Sequence, residues 1–201
     1  MPLVLVSSPR FVDHVTPAGH PERPERAETF ETVAARFKAQ GGTVLEPRSA
    51  TEEDLTRVHT REHVAGIVAR RGRASMIDED TFTSPDSDEI ARLAAGAVLT
   101  AVDQVLDGPA GSRALALVRP PGHHAEAGKA MGFCLYNNIA VGAAYARSRG
   151  RSRVAIVDFD VHHGNGTQAM FYADPNVLFV SSHQFPFWPG TGASGETGEG
   201  A

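Results

Sequence analysis

The 201-residue chain has one cysteine, no basic block and no long apolar run. A single cysteine, Cys134, cannot close an intrachain disulfide, so a disulfide-stapled secreted scaffold is excluded and a reducing, cytoplasmic location is expected. No stretch approaches the roughly 20 apolar residues needed to span a bilayer. The apolar start Leu3–Val6 is too short for a signal-peptide core and lacks a charged lead-in. No membrane partner is expected. Nineteen Lys and Arg stand against 24 Asp and Glu, a formal charge of −5. Without a basic block to track phosphates, nucleic acid is not implied as a partner. What remains is a chain long enough for one substantial core, with no internal repeat and no linker, so residues 1–201 are read as a single domain.

Strand and helix signals alternate along it. Leu3–Val6 reads as a strand, Pro24–Ala39 as a helix stopped by Gly41-Gly42, and Thr43–Leu45 as a short strand. Thr51 precedes a helical turn through Val58, and Thr60 caps a helix over Arg61–Arg70. Arg71–Asp86 has no periodicity and reads as a long loop, a kind of segment that is usually functional or mobile. Ile90, Leu93, Ala94, Ala97, Val98, Ala101, Val102 and Val105 recur at three and four residue steps, which predicts a helix from Ser87, its cap, to Leu106, closed by Gly108. Asn137–Arg149 reads as a helix rich in small residues, Thr167–Tyr172 as a short one. The runs ALALV (114–118), VAIV (154–157) and VLFV (177–180) read as strands buried on both faces. The fold class expected is α/β, an open and mostly parallel sheet flanked by helices.

Two of these strands end in ionisable clusters. Val154–Val157 runs straight into DFDVHHGNGTQ, Asp158 to Gln168. In extended chain, residues two apart point the same way, so Asp158, Asp160 and His162 project together. Ala114–Val118 runs into RPPGHHA, where a rigid Pro-Pro-Gly turn presents His123 and His124 side by side. Parallel α/β sheets place their sites beyond the carboxyl ends of the strands, so the two clusters form one site. Asp and His suit a borderline ion such as zinc. Adjacent imidazoles suit general acid and base.

RPPGHHA, MGFCLYNN (Met131–Asn138) and DFDVHHGNGTQ resemble the zinc-dependent histone deacetylase family, within the wider arginase and deacetylase fold. The resemblance runs from GHPERPER (Gly19–Arg26) to FWPGTG (Phe187–Gly192). Arginases carry Asp-x-His-x-Asp metal motifs, whereas Asp160-Val161-His162 has the order that goes with one zinc. The resemblance implies a deacetylase acting on acetylated lysine in a peptide or protein, or on a small acylated amine such as an acetylpolyamine. It implies Asp160 and His162 as zinc ligands and His123 and His124 as the acid–base pair. Asp158 would orient His123 and share a structural potassium site with the Ser181 hydroxyl and the carbonyls of Asp160, His162 and Ser182. Asn165 stands where some members have a second orienting Asp, as in the class II and bacterial-like branch, and leaves His124 more readily neutral.

The same resemblance makes Phe133 and Trp188 the aromatic walls of a lysine channel, with Gly132 giving close backbone access. Asp80 corresponds to a rim carboxylate that holds the substrate backbone, and Arg26 to an arginine near the acetate exit. Cys134 is expected to be a packed small side chain. A later family segment supplies a third zinc ligand and a carbonyl-polarising Tyr or His. The chain instead closes on TGASGETGEGA, read as the middle of an active-site loop. The expectation is therefore a C-terminally severed domain that binds zinc poorly, is inactive alone, or serves as a noncatalytic acyl-lysine binding module if naturally this short. Its unpaired sheet edge is expected to promote self-association.

Overall fold

The computed structural model describes residues 3–199. Strand β1 (Leu3–Val6) pairs in parallel with both β2 (Thr43–Leu45) and β5 (Arg113–Ala116), so that Leu5 lies between Val44 and Leu115. Strands β6 (Val154–Asp158) and β7 (Val177–Ser181) pair in parallel with Asp158 opposite Ser181. The strands are parallel as expected, but among the described residues they form two hydrogen-bonded sheets instead of one. Residues 71–86, expected to be loop, carry a small antiparallel ribbon of β3 (Ser75–Met76) and β4 (Phe82–Thr83). Strands of two residues are too short to leave a periodic signal.

The helices are α1 (Glu25–Ala39), α2 (Glu52–Leu55), α3 (Arg61–Val68), α4 (Ser87–Asp107), α5 (Asn138–Ser148) and α6 (Asn165–Phe171). Thr51 closes a capping box with Asp54, and Thr60 accepts from the His63 amide, each satisfying N–H groups that the first turn leaves free. Asn137 caps α5 by accepting from Ala140. Ser87 is not a cap: Asp86 holds that position without a side-chain bond, while Ser87 Oγ accepts from the Ser84 amide and meets His14 Nδ1 at 2.7 Å. A tertiary partner has claimed the hydroxyl.

Helix α4 is the centre of the core. Ala91, Ala95 and Leu99 pack with Leu55, Val64, Leu135, Tyr136 and Val141, while Ile90, Ala94 and Ala97 pack with Val6, Phe11 and Ala27. The small residues of α5 permit close approach: a Cβ on Gly142 would lie 2.4 Å from Val98 Cγ1. Ala140, Ala143 and Phe171 cover Ile156 and Val177 on one face of the β6–β7 sheet. The opposite face is open. Val157, Leu178 and Val180 on it are exposed, as is Leu115 on β5 in the other sheet, which corrects the expectation that ALALV, VAIV and VLFV are buried on both faces. Apolar composition records what a strand can bury, and the described helices cover one side only.

Among the described residues no helix is long and apolar enough to cross a membrane. The glycine-rich run is tied down through Glu199: the Glu196 carboxylate accepts from the amides of Gly192 and Ala193 and from Gln168 Nε2, and the Glu199 amide donates to the Tyr172 carbonyl. Gly200 and Ala201 lie outside the described residues.

Candidate active site

The loop after β5 and the end of β6 meet at His123. Its Nδ1 lies 2.9 Å from Asp158 Oδ2, so the carboxylate accepts and Nδ1 carries the proton. Its Nε2 stands 4.0 Å from Asp160 Oδ1, and His162 Nδ1 stands 3.4 Å from that same oxygen. Residues 159–162 are all exposed past the end of the strand, and Asp160 and His162 are drawn together there, the His162 amide donating to Asp160 Oδ1 at 2.8 Å. Burial pushes the Asp158 carboxyl up, but the hydrogen bond and charge of His123 outweigh it and leave its pKa below the usual range.

His124 lies against His123 with ring centroids 3.9 Å apart. Its Nδ1 is 2.8 Å from Asn165 Oδ1, while Asn165 Nδ2 donates to Glu126 Oε1 at 3.1 Å. The second bond fixes the amide, so Asn165 presents oxygen, His124 carries its proton on Nδ1, and Nε2 is left as an acceptor. Burial, and after it the nearby His123 and His162, pushes the His124 pKa down to about 4 despite the bond to Asn165. The two imidazoles therefore differ in backing: one rests on a carboxylate, the other on an amide.

Four successive carbonyls behind this pair are each held by a different donor. That of His123 accepts from the Thr167 amide (3.1 Å), that of His124 from Asn165 Nδ2 (3.5 Å), that of Ala125 from Asn137 Nδ2 (3.1 Å), and that of Glu126 from His59 Nδ1 (3.1 Å). His59 Nε2 in turn accepts from the Asn137 amide at 2.9 Å, and burial lowers the His59 pKa to about 4. Gly166 leaves room for this cradle, since a Cβ there would lie 2.2 Å from the Ala125 carbonyl oxygen.

Gly132, Trp188, His124 and His162 lie close together. The Trp188 ring is 4.5 Å from His124 and 5.7 Å from His162, and a Cβ on Gly132 would come within 2.6 Å of both His124 and Trp188. Neither Trp188, 43% exposed, nor the half-buried Phe133 is a core aromatic. The Phe133 ring lies 4.8 Å from that of His20, edge to face. The Asp80 carboxylate accepts from the Thr81 hydroxyl at 3.0 Å. Arg26 lies 3.5 Å from Glu22 at the start of α1. Ser181 Oγ meets His183 Nδ1 at 2.8 Å, and the Ser182 amide donates to the Asp158 carbonyl, so the residues expected to share potassium are neighbours across β6 and β7. Cys134 is fully buried, and burial pushes its thiol pKa far up, as befits a packed side chain.

Asp160 and His162 offer an oxygen and a nitrogen, a donor chemistry that suits zinc. Among the described residues no group of three or more His, Cys, Asp or Glu converges to hold a metal. The donor types fit; their number falls one short of the three protein ligands of a catalytic zinc.

Sequence reasoning missed the residues that position the site. Arg119 is fully buried, with Nε and Nη2 on the two Glu22 carboxylate oxygens at 2.7 and 2.8 Å and Nη1 on the Phe11 carbonyl. A lone charge ending an apolar strand was the available signal. His20, His59, Thr81 and Asn137 left none, because their partners are distant in the chain.

A parallel α/β scaffold that gathers two imidazoles and an Asp-x-His pair at the carboxyl ends of its strands is an arginase/deacetylase-like protein. Residues 20–201 match the family model described as "Histone deacetylase domain", and the chain belongs to that family. It is similar to a protein of Archaeoglobus fulgidus named "Probable deacetylase", 39% identical over 98% of this chain and 55% of that protein. It is also similar to human "Polyamine deacetylase HDAC10", 42% identical over 84% of this chain and 27% of that one. The structure entitled "Crystal Structure of HDA15 HD domain" superposes with a TM-score of 0.90 at 38% identity, over all of this chain and 59% of that one. The chain spans 55–66% of the length of the archaeal and cyanobacterial relatives it matches.

Proposed function

We propose that this chain carries the acid–base half of a zinc-dependent amidohydrolase that removes acetyl or other acyl groups from lysine side chains. The observation behind the reading is the adjacent pair His123 and His124, rings tilted by 43°, with unlike partners, Asp158 and Asn165. His124, neutral and with Nε2 as acceptor, takes the proton of the attacking water. His123, whose imidazolium form a carboxylate supports, delivers a proton from Nε2 to the leaving amine. Asp160 and His162, with a further donor, would hold zinc, which would supply a Lewis acid for the carbonyl and a lowered pKa for water. Gly132, Phe133 and Trp188 grip the methylene stem, Asp80 holds the substrate backbone at the rim, and Arg26 lies toward the acetate exit. Asp158, Ser181 and Ser182 would hold a structural potassium ion. A cytoplasmic location belongs to the same reading.

Two other readings rest on specific observations. The similarity to a protein named polyamine deacetylase favours an acetylpolyamine substrate. Acyl-lysine binding without cleavage is the other; among the described residues Asp160 and His162 are the metal donors that converge. Zinc titration of the whole protein and of its His162→Ala variant, followed by assays of the whole protein on an acetyl-lysine peptide and on acetylputrescine, separates them. Stoichiometric zinc lost in His162→Ala, with peptide hydrolysis lost in His124→Ala, is the result expected of the enzyme. Faster turnover of acetylputrescine selects the polyamine reading, peptide binding without turnover selects the binding module, and neither binding nor turnover refutes all three.

A further inference from the structure

Phe133 is the one non-glycine residue with a positive φ, 68°, among those described. A bulky side chain rarely adopts this left-handed backbone, and it persists only where the surroundings over-determine it. Gly132 before it has φ 58°, and Met131 and Cys134 exchange both backbone hydrogen bonds across the pair. Gly132-Phe133 is therefore the tip of a two-residue turn with both residues left-handed, a turn that ordinarily calls for glycine or asparagine. Its backbone lies against His124 and Trp188.

The Phe133 amide at the tip donates to Thr81 Oγ1 at 3.2 Å, across 52 residues of sequence. Thr81 is fully buried and held on every side: its hydroxyl donates to Asp80 Oδ1 at 3.0 Å, its amide to Asp78 Oδ1 at 2.7 Å, and its carbonyl accepts from the Ile77 amide. Because the hydroxyl proton is spent on Asp80, its lone pair is turned to Phe133. His20 completes the clamp, with its ring on Phe133 and its Nε2 on the Asp80 carbonyl at 3.0 Å.

We propose that Thr81 is a positioning residue whose buried hydroxyl holds Phe133 in its left-handed conformation and so sets the wall of the channel. That the channel takes an acyl-lysine stem rests on the function proposed above; the clamp itself does not. Asp80 acts in the same clamp, as the acceptor that orients the Thr81 hydroxyl.

Trp188, the single tryptophan, reports on the wall by its fluorescence. Thr81→Val keeps the shape of the side chain and removes the hydroxyl, whereas Thr81→Ser keeps the hydroxyl. The result expected of Thr81→Val is an acrylamide quenching constant for Trp188 about twofold higher and an affinity for a fluorescent acetyl-lysine peptide about fivefold lower, the scale of one net hydrogen bond. Thr81→Ser should match wild type in both. Quenching and affinity unchanged in Thr81→Val, or equally disturbed in Thr81→Ser, would overturn the proposal. If the wild-type chain does not bind the peptide, the acyl-lysine reading has failed and the quenching arm alone decides the clamp. If Thr81→Val does not fold, hydrogen exchange of the wild-type Phe133 amide decides: slow exchange supports the bond to Thr81, and exchange as fast as in exposed loops rejects it.

Discussion

Replacing Arg119 by methionine should cost more stability than removing any surface ion pair of this protein. The guanidinium and the Glu22 carboxylate are both without exposed side-chain surface, and the substitution leaves a buried carboxylate without its two-pronged partner. Breaking a buried pair in this way costs about 3–5 kcal/mol, set against a total of roughly 5–15 kcal/mol for a domain. His14 and Arg26, each 3.5 Å from Glu22, are too distant to replace two bonds under 3 Å. Arg119→Met with Glu22→Leu removes both charges and should recover most of the loss. About 1–2 kcal/mol should remain missing because the Phe11 carbonyl has lost its donor. Urea unfolding of wild type, both single variants and the double variant measures the coupling directly, provided the slope of free energy against urea is unchanged. A loss below about 1 kcal/mol in Arg119→Met, or a double variant no more stable than that single one, would refute the claim that an unpaired buried charge is what matters here.

Other tests address the cradle, the buried histidines and the open sheet. Gly166→Ala should destabilise by about 1–3 kcal/mol, because the added carbon meets the Ala125 carbonyl; Gly128→Ala, which meets nothing within 4 Å, is the control, and equal melting temperatures would discount the clash. His14, His59 and His124 have pKa values lowered by burial from 6.5 to about 4. Below pH 6.5 the unfolded chain binds protons that the folded one refuses. Stability is therefore full above pH 6.5 and falls toward pH 4, by up to about 3 kcal/mol for each histidine. Chemical unfolding at pH 7.5, 5.5 and 4.5 would show this, and a flat profile would contradict it. The exposed Val157 and Leu178 should drive concentration-dependent association, reduced in Val157→Lys with Leu178→Lys. Light scattering that finds wild type monomeric at micromolar concentration would count against it.

Much of the protein was legible in its sequence because the signals were local. Hydrophobic spacing marked α4, Thr51 and Thr60 marked helix starts, and period-two alternation beyond Val157 placed Asp158, Asp160 and His162 on one side. The clusters at the ends of β5 and β6 could be assigned to one site because parallel strands share a carboxyl end. Tertiary structure alone decided what depended on distant partners. Ser87 turned from cap to partner of His14, the apolar strands kept one open face, and the charges of Arg119 and Glu22 met 97 residues apart in the core. The left-handed turn at Phe133 is the clearest case. Met131 and Cys134 close the turn locally, but the acceptor for the Phe133 amide is a threonine 52 positions earlier, and only folding brings the two together.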